Sequence, residues 1–250
     1  MSIHRSITDC CGPHHPQLGG VIFDMDGVLV DSHPVHRKAW RLFLNTLGRE
    51  IHDSELDFIL DGRKREDILR HLLGDCPAHE LEEFGRRKDS IFRQIQLSVI
   101  PVPGVIRLVR ELYDCGTALA VATSASPSRA HSTLVELGLL GCFDVVVTGD
   151  DVRQGKPDPA VYSLARERLA LNPNHVLAVE DAVSGVLAAT ASGLRCLAVA
   201  LHEKPEILTA AGAAHVVPDF EAVSARDLEN ILLSDGCSSC SGVVAVSAKR

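Results

Sequence analysis

Gly19-Gly20-Val21-Ile22-Phe23-Asp24-Met25-Asp26-Gly27-Val28-Leu29-Val30-Asp31-Ser32 reads as a buried strand that runs out onto two acids. Val21 to Phe23 form a short apolar run. Asp24 and Asp26 follow, one residue apart, with Gly27 directly after. Ligand sites in open α/β sheets form at the carboxyl ends of strands. Two acids leaving such an end need a partner, and a hard cation with oxygen ligands is the usual one. The stretch points to an enzyme.

Outward from it, the chain changes pattern twice. Ser32 is placed to cap a helix running through Leu47, with Trp40, Phe43, Leu44 and Leu47 at helical spacing and Gly48 as the stop. Further helices are predicted from Asp53 or Ser54 to Leu60, from Arg65 to Leu73 and from Glu80 to Ser98. Residues 32–100 are therefore read as a helical unit. Pro101-Val102-Pro103-Gly104 is a linker. Beyond it, helices alternate with strands at Ala118–Ala122, Asp144–Val147, His175–Val179, Cys196–Ala200 and His215–Val217, and a last helix covers Ala225–Leu233. Such alternation means a doubly wound parallel sheet with right-handed crossovers. The fold class is α/β, a Rossmann-like core of residues 18–31 and 101–233. The helical unit is inserted after strand one, above Asp24, where a lid would sit. Residues 1–17 read as a disordered leader and 234–250 as a flexible tail.

Composition narrows the function. Of the 250 residues, 46% are hydrophobic and 4% aromatic, so a sizeable aliphatic core is expected. The formal net charge of −8 argues against a nucleic-acid or anionic-membrane surface. No run approaches the length of a membrane span, and no signal segment precedes the first strand. A cytoplasmic protein is expected. With no heptad or exposed apolar stripe, so is a monomer. Cys76, Cys115, Cys142 and Cys196 read as small apolar residues. Cys10, Cys11, His14 and His15 could join Cys237 and Cys240 in a zinc or redox site; poorly ordered tails are the competing reading.

Four clusters fall at predicted strand ends: Asp24/Asp26, Thr123/Ser124, Lys156 and Glu180/Asp181. Asp, Ser and Thr often cap helices after strands, but four such coincidences are harder to explain by capping. Together they supply what phosphoryl transfer needs: a carboxylate nucleophile, a proton-transfer group, a hydroxyl and a lysine for phosphate oxygens, and acids for Mg²⁺.

Asp24-Met25-Asp26-Gly27-Val28, Thr123-Ser124, Gly155-Lys156-Pro157-Asp158-Pro159 and Val179-Glu180-Asp181 resemble, in order and spacing, the four motifs of the haloacid-dehalogenase superfamily. The inserted cap resembles that of the branch containing β-phosphoglucomutase and small-metabolite phosphatases. The resemblance implies that Asp24 is phosphorylated and that Asp26 acts as acid, then base. It implies that Thr123, Ser124, Ala125 and Lys156 hold the phosphoryl group. Mg²⁺ would be held by Asp24, the Asp26 main-chain carbonyl and Asp181, with Glu180 beside or behind them. In the cap, His36 matches a histidine that orients the acid–base aspartate, and Trp40 follows one turn later on the same face. Arg65 matches a phosphate-binding arginine, and Arg93 is aligned with a cap lysine. One position departs: Asp61 stands where the mutase has a lysine, next to Gly62. The expected function is hydrolysis of a small phosphorylated sugar or similar metabolite, with β-phosphoglucomutase activity as the alternative and a non-catalytic binding module as the third reading.

Overall fold

The computed structural model describes residues 18–234; the two terminal segments, with Cys10, Cys11, His14, His15, Cys237 and Cys240, lie outside the described residues. Six strands form one parallel sheet in the order β3-β2-β1-β4-β5-β6. They are β1 (Gly20–Phe23), β2 (Ala118–Ala122), β3 (Val145–Val147), β4 (Val176–Glu180), β5 (Arg195–Val199) and β6 (His215–Val217).

Parallel strands are covered on both faces, so they read as unbroken apolar runs rather than alternating ones. β1 shows this directly. Val21 and Phe23 pack into the core on one face and Ile22 into the core on the other, all three fully buried. The first face is covered by α5 (Val105–Asp114), α6 (Pro127–Glu136) and α10 (Ala225–Leu233), through residues such as Leu108, Leu134 and Leu228. The second is covered by α7 (Ala160–Leu169), α8 (Val183–Ala191) and α9 (Pro205–Ala210), through Val161, Val186 and Leu208. Each large aliphatic side chain so buried contributes about 1.5–3 kcal/mol.

β1 lies between β2 and β4, where the chain order reverses. The crevice at such a switch point, beyond the carboxyl ends of the strands, is where doubly wound folds bind ligands. Asp24 leaves β1 into it.

Between β1 and β2 the chain forms α1 (His33–Asn45), α2 (Asp53–Ile59), α3 (Arg65–Leu73) and α4 (Ala78–Ile95). These share a core of their own around Trp40, Phe43, Leu44, Leu69 and Leu81. The chain crosses to this layer and back on two neighbouring segments: Val30 bridges Pro101, and Asp31 N donates to Ile100 O at 2.8 Å. Two adjacent crossings make a hinge of few residues. α1 ends two residues before the predicted Leu47, and α4 stops at Ile95 rather than Ser98. Ser32 sits at the N-cap position of α1 but makes no capping bond there. Its hydroxyl donates instead to Asp26 Oδ1 at 2.6 Å. Among the described residues, no helix is long and apolar enough to cross a membrane.

Candidate active site

Asp24 sits just past β1, 4% exposed. Lys156 Nζ reaches it from the loop before α7, 2.7 Å from Oδ1, and also lies 2.5 Å from Glu180 Oε1. Asp24, Glu180 and Asp181 bring one carboxylate oxygen each within 4.8 Å of one another. Burial, reinforced by Glu180, Asp181 and Asp26 and opposed by Lys156, raises the Asp24 carboxyl to about 8. Burial would lower Lys156, but Asp24 and Glu180 outweigh it and hold the ammonium charged.

Glu180 is saturated. Its Oε1 also accepts from Tyr162 OH at 2.8 Å, and Oε2 accepts the amides of Asp181 and Ala182 at 2.9 and 3.3 Å. Its Oε1 holds Lys156 in place. Gly185 lets α8 come this close, since a Cβ there would overlap the Glu180 carboxylate. Asp181 Oδ2 lies 3.1 Å from His33 Nε2. Gly27 has φ +78°, and a Cβ at that position would overlap the Asp181 carboxylate. The glycine after the two acids is thus required twice, by its backbone and by the space it leaves.

Three buried carboxylates against one lysine and one histidine leave an excess of negative charge. A small divalent cation with oxygen ligands fits that donor set. Each of the three acids has an oxygen in that cluster, and the Glu180 oxygens also accept four protein hydrogen bonds.

Asp26 is arranged differently. Arg129, in the first turn of α6, grips both oxygens, with NH1 2.8 Å from Oδ1 and NH2 2.5 Å from Oδ2. His36 Nε2 lies 3.6 Å from Oδ1. Burial would raise the Asp26 carboxyl; Arg129 and His36 outweigh it and hold it well below the carboxylate range. Behind His36, Lys88 Nζ lies 3.0 Å from Nδ1. That bond leaves Nδ1 as acceptor and puts the ring proton on Nε2, facing Asp26. Burial and then Lys88 lower His36 to about 3, so the ring is neutral. Lys88 itself is lowered to about 7 by burial. It lies 5.2 Å from the Trp40 ring centroid and 5.1 Å from that of Phe92.

These groups line a cavity of 80 Å³ between the sheet and α1–α4, smaller than the roughly 300 Å³ and upward typical of ligand pockets. The helical layer is closed on the sheet. Ser124 Oγ donates to Gly62 O at 2.6 Å, Lys64 Nζ donates to Val152 O at 2.9 Å, and Ser184 N donates to Asp61 Oδ1 at 2.8 Å.

The structure brings Asp24, Asp26, His36, Trp40, Arg65, Ser124, Ala125 and Asp181 to this cavity. Thr123 is fully buried, and its Oγ1 accepts the Ala125 amide at 3.1 Å, shaping the turn rather than facing the cavity. Arg65 is paired with Asp89 and lies 3.4 Å from Glu66. Arg93 is exposed and not among the cavity-lining residues. The buried cation of α4 is Lys88, which reaches Asp26 only through His36. Leu81, Gly85, Lys88 and Phe92 form the buried stripe of α4, and Arg93 is one residue further round. Asp61 turns away from the cavity toward α8 and toward Arg63 at 3.1 Å, so its charge does not oppose an anion there.

Arg129 and Lys88 escaped the sequence reading, although both left a signal. Lys88 is a lysine on an apolar stripe. Arg129 is a cation in the first turn of a helix, against the macrodipole. Local choices that conflict with the fold around them tend to mark function.

The sequence model described as haloacid dehalogenase-like hydrolase matches residues 21–199. The chain belongs to that family. It is 33% identical over 192 residues, 75% of this chain and 99% of the other, to a fructose-1-phosphate phosphatase of Escherichia coli (strain K12). It is 31% identical over 191 residues, 76% of this chain and 89% of the other, to validoxylamine A 7'-phosphate phosphatase of Streptomyces hygroscopicus subsp. limoneus. The crystal structure of a β-phosphoglucomutase from Clostridium difficile shares the fold, with a TM-score of 0.78 at 21% identity over 86% of this chain and 97% of that one. This haloacid-dehalogenase-type protein is an enzyme, a phosphatase or a closely related phosphosugar mutase. That sets aside the binding-module reading.

Proposed function

We propose that the protein is a Mg²⁺-dependent phosphatase of small phosphorylated carbohydrates and similar metabolites, acting through phosphorylated Asp24. The observation that carries this is a buried Asp24 with Lys156 on one oxygen and Asp181 beside it, two residues before a second aspartate under a closed lid. The phosphatases it resembles act on fructose 1-phosphate and validoxylamine A 7'-phosphate, as their names state.

The steps follow from the residues. An Asp24 oxygen forms the new bond to phosphorus as the bond to the leaving oxygen breaks, and Asp26, which has to take up a proton beforehand, donates it to the leaving oxygen. Water then attacks phosphorus, Asp26 takes its proton, and the bond to Asp24 breaks to release phosphate. Lys156 favours the ionised form of Asp24 against burial and offsets charge on the phosphoryl oxygens, with Ser124 as a hydroxyl donor once it leaves Gly62. Asp24, Asp181 and the Asp26 carbonyl would hold the Mg²⁺, which when bound offsets the repulsion between carboxylate and phosphate.

The mutase reading keeps one observation in its favour, a neutral His36 beside Asp26 in a partly enclosed cavity. Purified protein with Mg²⁺ should release phosphate from a panel including fructose 1-phosphate, and chelation should stop it. Formation of glucose 6-phosphate from β-glucose 1-phosphate and a bisphosphate primer, faster than phosphate release, would replace the hydrolase with the mutase.

A further inference from the structure

We propose that His33 is a positioning residue for the cation: it holds the Asp181 carboxylate in the orientation that serves the ion, and Asp31 holds His33 there through His202. The proposal rests on the Mg²⁺-dependent phosphatase reading.

His33 Nε2 donates to Asp181 Oδ2 at 3.1 Å. A carboxylate has two oxygens, so one on the ring leaves the other for a cation beside Asp24. With its proton on Nε2 the neutral ring is a donor, and the doubly protonated ring is one too. The orienting role therefore does not turn on the charge of His33.

Packing alone does not fix this carboxylate. Gly27 backs it on one side. Elsewhere His33 and Asp181 together line two cavities: the one of 80 Å³ beside Asp24, and a second of 70 Å³ lined by Arg37 and Asp57 of the helical layer and by Ala182 and His202 of the sheet layer. The pair is a partition with space on both sides. A side chain so placed keeps its torsion through hydrogen bonds more than through contacts.

The His33 ring is itself held. It stacks on the His202 ring, with centroids 4.6 Å and planes 21° apart. His202 Nε2 lies 2.7 Å from Asp31 Oδ1. Asp31 belongs to the first crossing of the hinge, and its amide binds the second at Ile100 O. The hinge, the start of α1 and the loop after β5 thus converge on one ring. The helix does not account for the residue: His33 opens α1, where the macrodipole favours an acid. Two roles are open to a histidine beside a metal-ligating acid, and they predict opposite signs. A ring that merely offsets the charge of Asp181 opposes the cation, and its removal tightens binding. A ring that orients Asp181 supports the cation, and its removal weakens binding by about 10–100-fold. A charge needs no fixed direction. The stack and the Asp31 contact fix the plane of this ring, which the orienting role requires.

The test measures Mn²⁺ binding to chelator-stripped protein from the electron paramagnetic resonance signal of the free ion, with Mg²⁺ affinity obtained by competition. His33→Leu should weaken both by about tenfold or more. His33→Gln keeps an N–H donor of similar reach and should stay within about threefold of wild type. His202→Leu should fall between. The half-saturating Mg²⁺ concentration for phosphate release should rise in parallel, while the substrate KM at saturating Mg²⁺ stays put; a merely loosened fold would move both. Mn²⁺ affinity that is unchanged or tighter in His33→Leu overturns the proposal, as does a His33→Gln protein as weak as His33→Leu. Where His33→Leu does not fold, His202→Leu at its partly exposed position decides, and unchanged affinity there overturns the proposal. Weakened Mn²⁺ binding in His33→Leu, with no phosphate release from any substrate in wild type, sinks the phosphatase reading alone. Chelation-sensitive phosphate release with unaltered Mn²⁺ affinity in His33→Leu sinks this proposal alone.

Discussion

Lys156 Nζ lies 2.7 Å from Asp24 Oδ1, and both side chains are almost completely shut from water. The ammonium is shared with Glu180, which Tyr162 and two backbone amides hold still. Asp24, the proposed nucleophile, is thus balanced among acids by one cation with a fixed address.

Lys156→Met should therefore do more than slow the reaction. It strands two buried carboxylates, a loss of about 3–5 kcal/mol for a broken buried pair. Thermal melting should show a large drop in Tm, partly recovered by millimolar Mg²⁺, alongside loss of turnover. A Tm within a degree or two of wild type would contradict the assignment.

Asp24→Asn should abolish phosphate release while keeping the fold. The amide is close in shape and carries no charge into a site crowded with acids. Metal-free protein with this change should melt no lower than wild type at pH 8, measured by calorimetry. Residual turnover at wild-type rate would remove Asp24 as the nucleophile.

Lys88 makes stability depend on pH. Its pKa is depressed to about 7 in the folded protein and returns to the ordinary lysine value of about 10.4 on unfolding. Between those values the unfolded chain binds more protons, so stability rises with pH across that window. Below pH 7 the penalty is fully present. Lys88→Met should flatten the rise and add about 1–3 kcal/mol near neutral pH, as an apolar replacement of a buried charge does. Denaturant titrations at pH 6.5 and 9.5 check both statements.

Asp61 acts as an N-terminal cap for a helix on the opposite layer. It accepts the Ser184 amide of α8, whose own N-cap residue, Ala182, has no side chain able to do so. Asp61→Ala should cost about 1 kcal/mol and let the lid open more often. Trp40, the single tryptophan, belongs to α1 of the lid and lines the cavity beneath it, so it reports this as increased acrylamide quenching. Asp61→Asn keeps the acceptor and should stay close to wild type.

Much of this was legible in the chain itself. The short apolar runs bounded by glycine, proline and acids fixed a parallel sheet, because a strand covered on both faces must be apolar along its length. Asp24, Asp26 and Asp181 could be placed at strand ends for the same reason, whereas Lys156, expected at one, lies in the turn before α7, nine residues past the end of β3. Partners brought together by packing could not. Arg129 meets Asp26 across 103 positions and Asp61 meets Ser184 across 123. Those contacts depend on how α6 leaves its strand and how the lid seats on the sheet. The lid residues show the division most clearly. The helical period of α4 was visible, but which of its cations, Lys88 or Arg93, turned toward Asp26 depended on the angle at which that helix packs. The sequence by itself determined the sheet, the motifs and the chemistry they carry, since these rest on local pattern. Tertiary structure alone decided what holds Asp26, since side chains far apart in the chain meet there only after two layers close on each other.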